Sequence, residues 1–285
     1  MKEMTKAQIV ERSLFKKFRK DIWTKFVLAL KRYNLVEDED KIAVCISGGK
    51  DSMLLAKLMQ MLQKISEVKF ELVFLCMDPG YNKENRDRIE KNAALLEIPI
   101  EFFETDIFDS VVNVEKSPCY LCARMRRGHL YSEAQKRGCN KIALGHHFCD
   151  VIETTVMGML YGAQIQAMPP KLCSKNFEGM QLIRPLYCVH EDGIIAWKNY
   201  HQLKFLQCAC RFTEQCALSE DEISPSARVE VRNLIKSLKE KIPEVEAHIF
   251  KSIHNVQLDT LLGVKYQDED FDFNALFEAK EKKRK

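Results

Sequence analysis

The chain has no long hydrophobic run, and that absence excludes a good deal. Its longest apolar stretch near the N-terminus, Phe26 to Leu30, is far short of the roughly 20 residues needed to cross a bilayer. Met1-Lys2-Glu3 carries an acid, and no apolar segment with a small-residue cleavage site follows it. A secretory leader is therefore not expected, and neither is a membrane partner; a cytoplasmic location is. Glycine and proline are scarce, 11 and 8 among 285 residues, too few for a fibrous or low-complexity chain. An excess of one charge is also lacking. The 44 basic and 41 acidic residues leave a net charge of +3, which neither demands nor excludes nucleic acid, so only a local basic patch can speak to it. No internal repeat is visible. What remains is 46% hydrophobic and 30% charged, the balance of a soluble globular protein with one large domain or two ordinary ones.

Cysteine is abundant instead. Eleven are present, an odd number that cannot all pair. Cys45, Cys76, Cys139, Cys149, Cys173, Cys188 and Cys216 stand alone and read as small buried or semi-buried hydrophobes. Cys119 with Cys122, and Cys208 with Cys210, are clustered. In a reducing compartment such clusters point to metal binding or catalysis rather than disulfides.

Apolar residues at helical spacing from Ile9 through Leu14, Phe15, Phe18, Ile22, Phe26 and Leu30 to Tyr33 predict one long amphipathic helix over residues 7–34. The period then changes. Lys41 to Ile46 reads as a buried parallel strand, followed by a helix from Lys50 to Lys64. Strands at Phe70–Met77, near Ile100–Phe103 and at Lys141–Leu144 alternate with helices at Lys83–Glu97, about Cys122–Arg137 and Val151–Leu160. Such alternation means βαβ units and a doubly wound parallel sheet of the α/β class. Residues 161–182 read as an irregular loop, and about 222–262 as two helices, with Pro225 and Pro243 near their starts. The expected division is an N-terminal helix over 1–36, a nucleotide-binding and cysteine-cluster domain over 37–215, and a C-terminal helical segment with a basic tail over 216–285.

The strongest chemical signal is Ser47-Gly48-Gly49-Lys50-Asp51-Ser52, between the first strand and its helix. In an open parallel sheet, ligands bind beyond the carboxyl ends of the strands. Two glycines let the backbone approach a ligand, and free amides at a helix N-terminus hold phosphate oxygens. Ser47 and Ser52 add hydroxyls, and Lys50 adds a positive charge. At the same sheet edge, Met77 and Asp78 end the second strand, while Gly145-His146-His147-Phe148-Cys149-Asp150 follows the fourth. The GxxxxGK spacing of a Walker A loop is absent.

The 47–52 loop resembles the SGGxDS loop of the PP-loop ATPases, which cleave ATP to AMP and pyrophosphate while adenylating a substrate. The 145–150 stretch narrows the resemblance to the TtcA family, the tRNA 2-thiocytidine synthetases, where it reads GHHRDD. Further matches run in order: Cys119 to Gly128, Met168 to Leu172, Ile183 to Leu186, Asn255-Val256 and Phe271-Asp272-Phe273. The similarity thus extends over nearly the whole chain. Phe148 and Cys149 replace the family's Arg and first Asp, leaving Asp150, with Glu153 nearby, for metal or proton handling.

What the resemblance implies is tRNA thiolation. ATP and Mg2+ would bind at Ser47, Gly48, Gly49, Lys50, Asp51, Ser52, Met77, Asp78, Gly145 and His146, with Lys50, Asp51 and Asp150 catalytic. The family holds a 4Fe-4S cluster on the CxxC and one distant cysteine, so Cys119 and Cys122 would be joined by Cys208 or Cys210. A four-thiolate zinc site from all four cysteines is the rival, and a thioredoxin-type redox pair at Cys119 and Cys122 is another. Arg124, Arg126, Arg127, Lys171, Arg184 and Arg211 would meet RNA or pyrophosphate. Implied partners are a tRNA and a cysteine desulfurase or other sulfur donor; a homodimer stays open. Different classes also fit the loop alone: a PP-loop ligase acting on a small molecule, and a non-catalytic ATP-binding sensor.

Overall fold

The protein was analysed as a computed structural model, which describes residues 4–105, 118–206, 227–266, 269–275 and 277–278, with the backbone alone for 118–124. Six strands form one sheet in the order β3-β2-β1-β4-β6-β5: β1 Lys41–Ile46, β2 Glu71–Asp78, β3 Ile100–Glu104, β4 Lys141–Ala143, β5 Lys171–Cys173 and β6 Gln181–Ile183. All pair in parallel except β5, an antiparallel edge strand on β6. The short β5 and β6 bound what reads as a loop in sequence, because three-residue strands carry too little periodicity to register.

Side chains alternate across the sheet as a period of two requires. Ile42, Val44, Ile46, Phe74 and Cys76 enter one core, with helix α3 (Lys50–Ile65) and the N-terminal helices. Ala43, Cys45, Leu75, Ile142 and Leu182 enter another, against helix α5 (Pro118–Lys136) through Tyr131 and Ala134. Between these, α4 (Lys83–Leu96) and α6 (Phe148–Gly162) complete the crossovers. Helix α3 is buried from Ser52 through Met59, including Lys57, so it is enclosed rather than amphipathic.

The N-terminal segment is not one helix. It runs as α1 (Lys6–Phe15), a π-helical turn (Arg19–Trp23) and α2 (Thr24–Arg32). The buried residues Val10, Leu14, Phe18, Ile22, Phe26 and Leu30 recur every fourth position. In an α-helix each such step overshoots a full turn by about 40°, so a straight rod would carry the stripe off the core. The wider π turn takes up that drift. Ile9 and Phe15, expected on the buried stripe, are exposed, and Val10 takes the inward place.

Three helices and a hairpin lie C-terminal to β6 among the described residues. Helix α7 (Glu191–Tyr200), absent from the sequence reading, buries Ile194 and Trp197. Helices α8 (Ala227–Lys241) and α9 (Val245–Ser252) match the two expected helices, and α8 packs on α6. A hairpin of β7 (Gly263–Tyr266) and β8 (Glu269–Asp272) follows. Val231, Ile235 and Phe250 share the core with Val10 to Leu35 and the sheet. The expected division at 215/216 lies outside the described residues.

Beneath the sheet, Lys141 is 1% exposed and is neutralised by Asp40 (2.7 Å) and Glu37 (2.6 Å). Asp40 also accepts from the Glu37 amide and from Asn140. Removing the buried Asp40 leaves Lys141 with only the largely exposed Glu37 and strands the Asn140 and Glu37 donors, at a cost of up to about 3 kcal/mol. Asp40→Ala should lose stability on that scale in urea denaturation, and the double variant Asp40→Leu with Lys141→Met should recover most of it.

Candidate active site

The strand order reverses direction of growth at β1, whose neighbours are β2 and β4. Beyond the carboxyl ends of these strands lies a cavity of about 500 Å3. Ser47, Asp51 and Ser52 line it from the loop after β1, Met77 and Tyr81 from the end of β2, Gly145, His146 and Asp150 from the turn after β4. Arg126, Arg127 and Leu130 of α5 and Arg184 close the other side. The size is in the range of small-molecule sites.

The loop is built by its own side chains. Ser52 Oγ accepts from the Ser47 amide at 3.2 Å and donates to the Gly49 carbonyl at 3.0 Å. Gly48 has φ +80°, and a Cβ there would lie 2.7 Å from Ile89 and 2.9 Å from Leu206. Gly49 caps α3 in extended geometry, leaving the first-turn amides for a ligand. Leu206, two residues before Cys208, donates its amide to the Gly48 carbonyl at 3.1 Å and is thereby fastened to this loop.

Lys50 does not face the cavity. Its ammonium is held by Glu191 (2.8 Å) and Asp51 (3.1 Å). Burial works against the charge, but these carboxylates outweigh it and raise the Lys50 pKa. Asp51 lines the cavity; its burial lifts its carboxyl above the usual range against the pull of His147 and Lys50. Asp51 Oδ1 is buried without a hydrogen bond, as are His146 Nδ1 and Arg184 Nε. Unsatisfied polar atoms converging on one cavity are what a polar ligand such as a magnesium nucleotide would complete.

Asp150 sits at the third position of α6, where its carboxylate accepts from the His147 amide at 2.9 Å. Burial opposes its ionisation, but His147, that amide and Arg228 prevail and hold it below the usual carboxylate value. Arg228, from α8, reaches Asp150 at 3.1 Å and Glu153 at 3.4 Å. Glu153, the expected helper of Asp150, is 2% exposed and bound by Arg232 at 2.8 Å, so it serves as an anchor for α8. His146 is driven down to about 4 by burial and by Arg184, and is neutral near pH 7. At position 149 burial pushes the thiol up to about 12, so no acid stands in for the family's first Asp.

Other expected residues are placed differently. Asp78 does not line the cavity; its Oδ1 accepts from the amides of Gly80 and Tyr81, and Arg86 grips its Oδ2 at 2.6 Å. It thereby shapes the turn that presents Tyr81. Lys171 is drawn away to Asn34 and Glu37. Arg184 binds the Pro169 carbonyl while facing the cavity. Cys45 is buried yet also lines the cavity. Cys173 is exposed and Cys149 half-buried. The backbone places Cys119 and Cys122 in the first turn of α5, three apart and so on one side of the helix. The side chains of Cys119, Cys122 and Arg124, together with Cys208, Cys210, Arg211 and Cys216, lie outside the described residues, as do 279–285 of the basic tail. Among the described residues, no group of three or more metal-ligating side chains is assembled.

A family model described as a PP-loop domain matches residues 18–210. This chain belongs to the PP-loop family. Within it, the chain falls among the tRNA-cytidine(32) 2-sulfurtransferases. It is 34% identical over 266 residues to tRNA-cytidine(32) 2-sulfurtransferase 1 of Francisella tularensis subsp. tularensis (strain SCHU S4 / Schu 4), covering 92% of this chain and 94% of that one. To the tRNA-cytidine(32) 2-sulfurtransferase of Syntrophotalea carbinolica it is 34% identical over 263 residues, covering 91% and 96%. The fold is that of the U34-tRNA thiolase NcsA from Methanococcus maripaludis, a structure described with its 4Fe-4S cluster. The TM-score is 0.62 at 20% identity, over 84% of this chain and 80% of that one.

Sequence reasoning missed Glu191 and Arg228, since α7 went unread and a paired Arg on a C-terminal helix resembles any solvated one. The one signal for Glu191 was an acid pair, Glu191-Asp192, at a helix start. Removing Arg228 takes away a charge that keeps Asp150 ionised. Arg228→Ala should raise the Asp150 pKa, seen as an upward shift of its carboxyl carbon titration by NMR. Because Arg228 is partly exposed, the loss of stability should stay near 1 kcal/mol.

Proposed function

We propose that this PP-loop enzyme thiolates tRNA, replacing O2 of an anticodon-loop cytidine with sulfur at the expense of ATP. The observation that carries the reading is the cavity at the β1/β4 divergence, walled by the 47–52 loop in a chain 34% identical to tRNA-cytidine(32) 2-sulfurtransferases along nearly its whole length. ATP would lie with its phosphates against Ser47, Gly48, Gly49 and Ser52. The first-turn amides of α3 would take up charge on the departing pyrophosphate, and Asp51 would supply a carboxylate for Mg2+, whose charge would help neutralise the phosphates. O2 of the cytidine attacks the α-phosphorus, the bond to pyrophosphate breaks, and O2 becomes part of an adenylate. A sulfur nucleophile then bonds to C2, the C2–O2 bond breaks, and AMP leaves with the oxygen. Asp150, held ionised, is placed to accept a proton or to ligate metal. Arg126, Arg127 and Arg184 bring positive charge to the opposite wall, suited to the phosphate backbone of RNA.

The donor set for the sulfur step is cysteine. Cys119 and Cys122 stand three apart on α5, the helix whose next turns supply Arg126, Arg127 and Leu130 to the cavity. With Cys208 or Cys210, they would hold a 4Fe-4S cluster by three thiolates. The cluster would serve as the carrier of sulfur supplied by a donor such as a cysteine desulfurase.

Mass spectrometry of tRNA nucleosides from cells lacking the protein, with and without complementation, tests the reaction; unchanged 2-thiocytidine overturns it. Cys119→Ala and Cys122→Ala should each abolish thiolation and an oxygen-sensitive iron chromophore while ATP binding survives. Of Cys208→Ala and Cys210→Ala, one should do the same and the other should not. Stoichiometric zinc in the unaltered protein, requiring all four cysteines, would refute the cluster. Asp150→Asn should retain ATP binding and lose turnover by roughly 100-fold, the lower end of general acid–base contributions.

A further inference from the structure

Three helices begin within reach of one another at this site: α3 at Lys50, α6 at Phe148 and α7 at Glu191. Glu191 opens α7 with its side chain 20% exposed, and its Oε1 is 2.8 Å from Lys50 Nζ and 4.0 Å from His147 Nε2. Lys50 Nζ in turn holds Asp51 Oδ2 at 3.1 Å. The second oxygen of Asp51 is buried without a hydrogen bond, 3.9 Å from His147 Nε2, in a residue that lines the cavity. The charges thus form a chain, carboxylate, ammonium, carboxylate, with one end on α7 and the other on the cavity floor. Neither Lys50 nor Glu191 lines the cavity.

A lysine meant to bind phosphate directly would gain nothing from two carboxylates on its ammonium. A lysine meant to fix a neighbouring carboxylate needs an anchor on its far side. We propose that Glu191 is a positioning residue, which acts through Lys50 to hold the Asp51 carboxylate in place at the wall of the nucleotide cavity. The half-buried setting favours this. Lys50 and Glu191 are each about four-fifths covered, where a charge pair is screened less than at the surface. The nucleotide role of the cavity is taken from the functional reading above; the ion chain itself is independent of it.

The test compares full-length unaltered protein with Glu191→Ala, Glu191→Gln, Lys50→Ala and the double variant. Pyrophosphate release with tRNA should fall at least tenfold in Glu191→Ala, with KM for ATP changed less than threefold. Glu191→Gln keeps a hydrogen-bond acceptor and should fall between. The double variant should be no worse than Lys50→Ala alone, since both substitutions break one chain. Amide exchange of residues 47–52, followed by mass spectrometry, should rise several-fold in Glu191→Ala with the melting temperature nearly unchanged. Unaltered exchange in the loop overturns the proposal whatever the reaction proves to be. So do unaltered turnover in Glu191→Ala and losses that multiply in the double variant. Loosened exchange in Glu191→Ala, with an unaltered protein that releases no pyrophosphate, would support the clamp and refute thiolation.

Discussion

Two backbone turns meet at this site with no side chain between them, and the rest of the arrangement depends on that contact. A Cβ on Gly145 would lie 3.1 Å from the Asp51 carbonyl carbon and the Ser52 nitrogen. A Cβ on Gly48 would collide with Ile89 and Leu206, and its backbone angle of +80° is one that side chains disfavour. Because both positions are glycine, the turn after β1 and the turn after β4 close on each other. The amides of α3 and the first residues of α6 then face one cavity. Leu206 completes the packing from beneath, joining the loop to the chain leading toward Cys208.

On this frame the charges are distributed by ordinary helix chemistry. Acids favour the first turn of a helix, and Asp51, Asp150 and Glu191 each occupy one. What differs is their partner. Asp51 shares Lys50 with Glu191, Asp150 takes Arg228 from α8, and His146 is held neutral by burial and Arg184. The C-terminal helices are therefore part of the site's electrostatics as well as of the core. Glu153, buried between Arg228 and Arg232, is the rivet.

Much of this was legible in the sequence. The run 41–46 declared itself as a buried parallel strand by being apolar and β-branched, 70–77 read as a second strand, and Ser47 to Ser52 fell at the sheet edge that the fold reserves for ligands. Motif position fixed the neighbourhood of Asp51, Gly145, His146 and Asp150 correctly, because backbone topology alone sets it. It could not fix direction. Lys50 turns to Glu191, Lys171 to Glu37, and Asp78 to its own turn, because the carboxylate or amide that captures each is distant in sequence or comes from an unread element. The N-terminal helix shows the same limit: a four-residue hydrophobic repeat reads as helix, yet only its drift against the core reveals a π turn. Strand β5 runs antiparallel because the loop over 174–180 returns it to β6 directly rather than through a crossover helix.

The opposed walls of the cavity have a kinetic consequence. The N-termini of α3 and α6 and the guanidinium groups of Arg126, Arg127 and Arg184 set positive charge, beside the carboxylates of Asp51 and Asp150, in a recess with apolar flanks such as Met77, Leu130 and Leu144. Low-dielectric walls focus such a field outward toward an approaching polyanion. On the proposed function, capture of a triphosphate and of an RNA strand would thereby be sped by long-range attraction rather than by contact. Such steering weakens steeply with ionic strength, so the association rate should carry the salt dependence while the dissociation rate carries little of it.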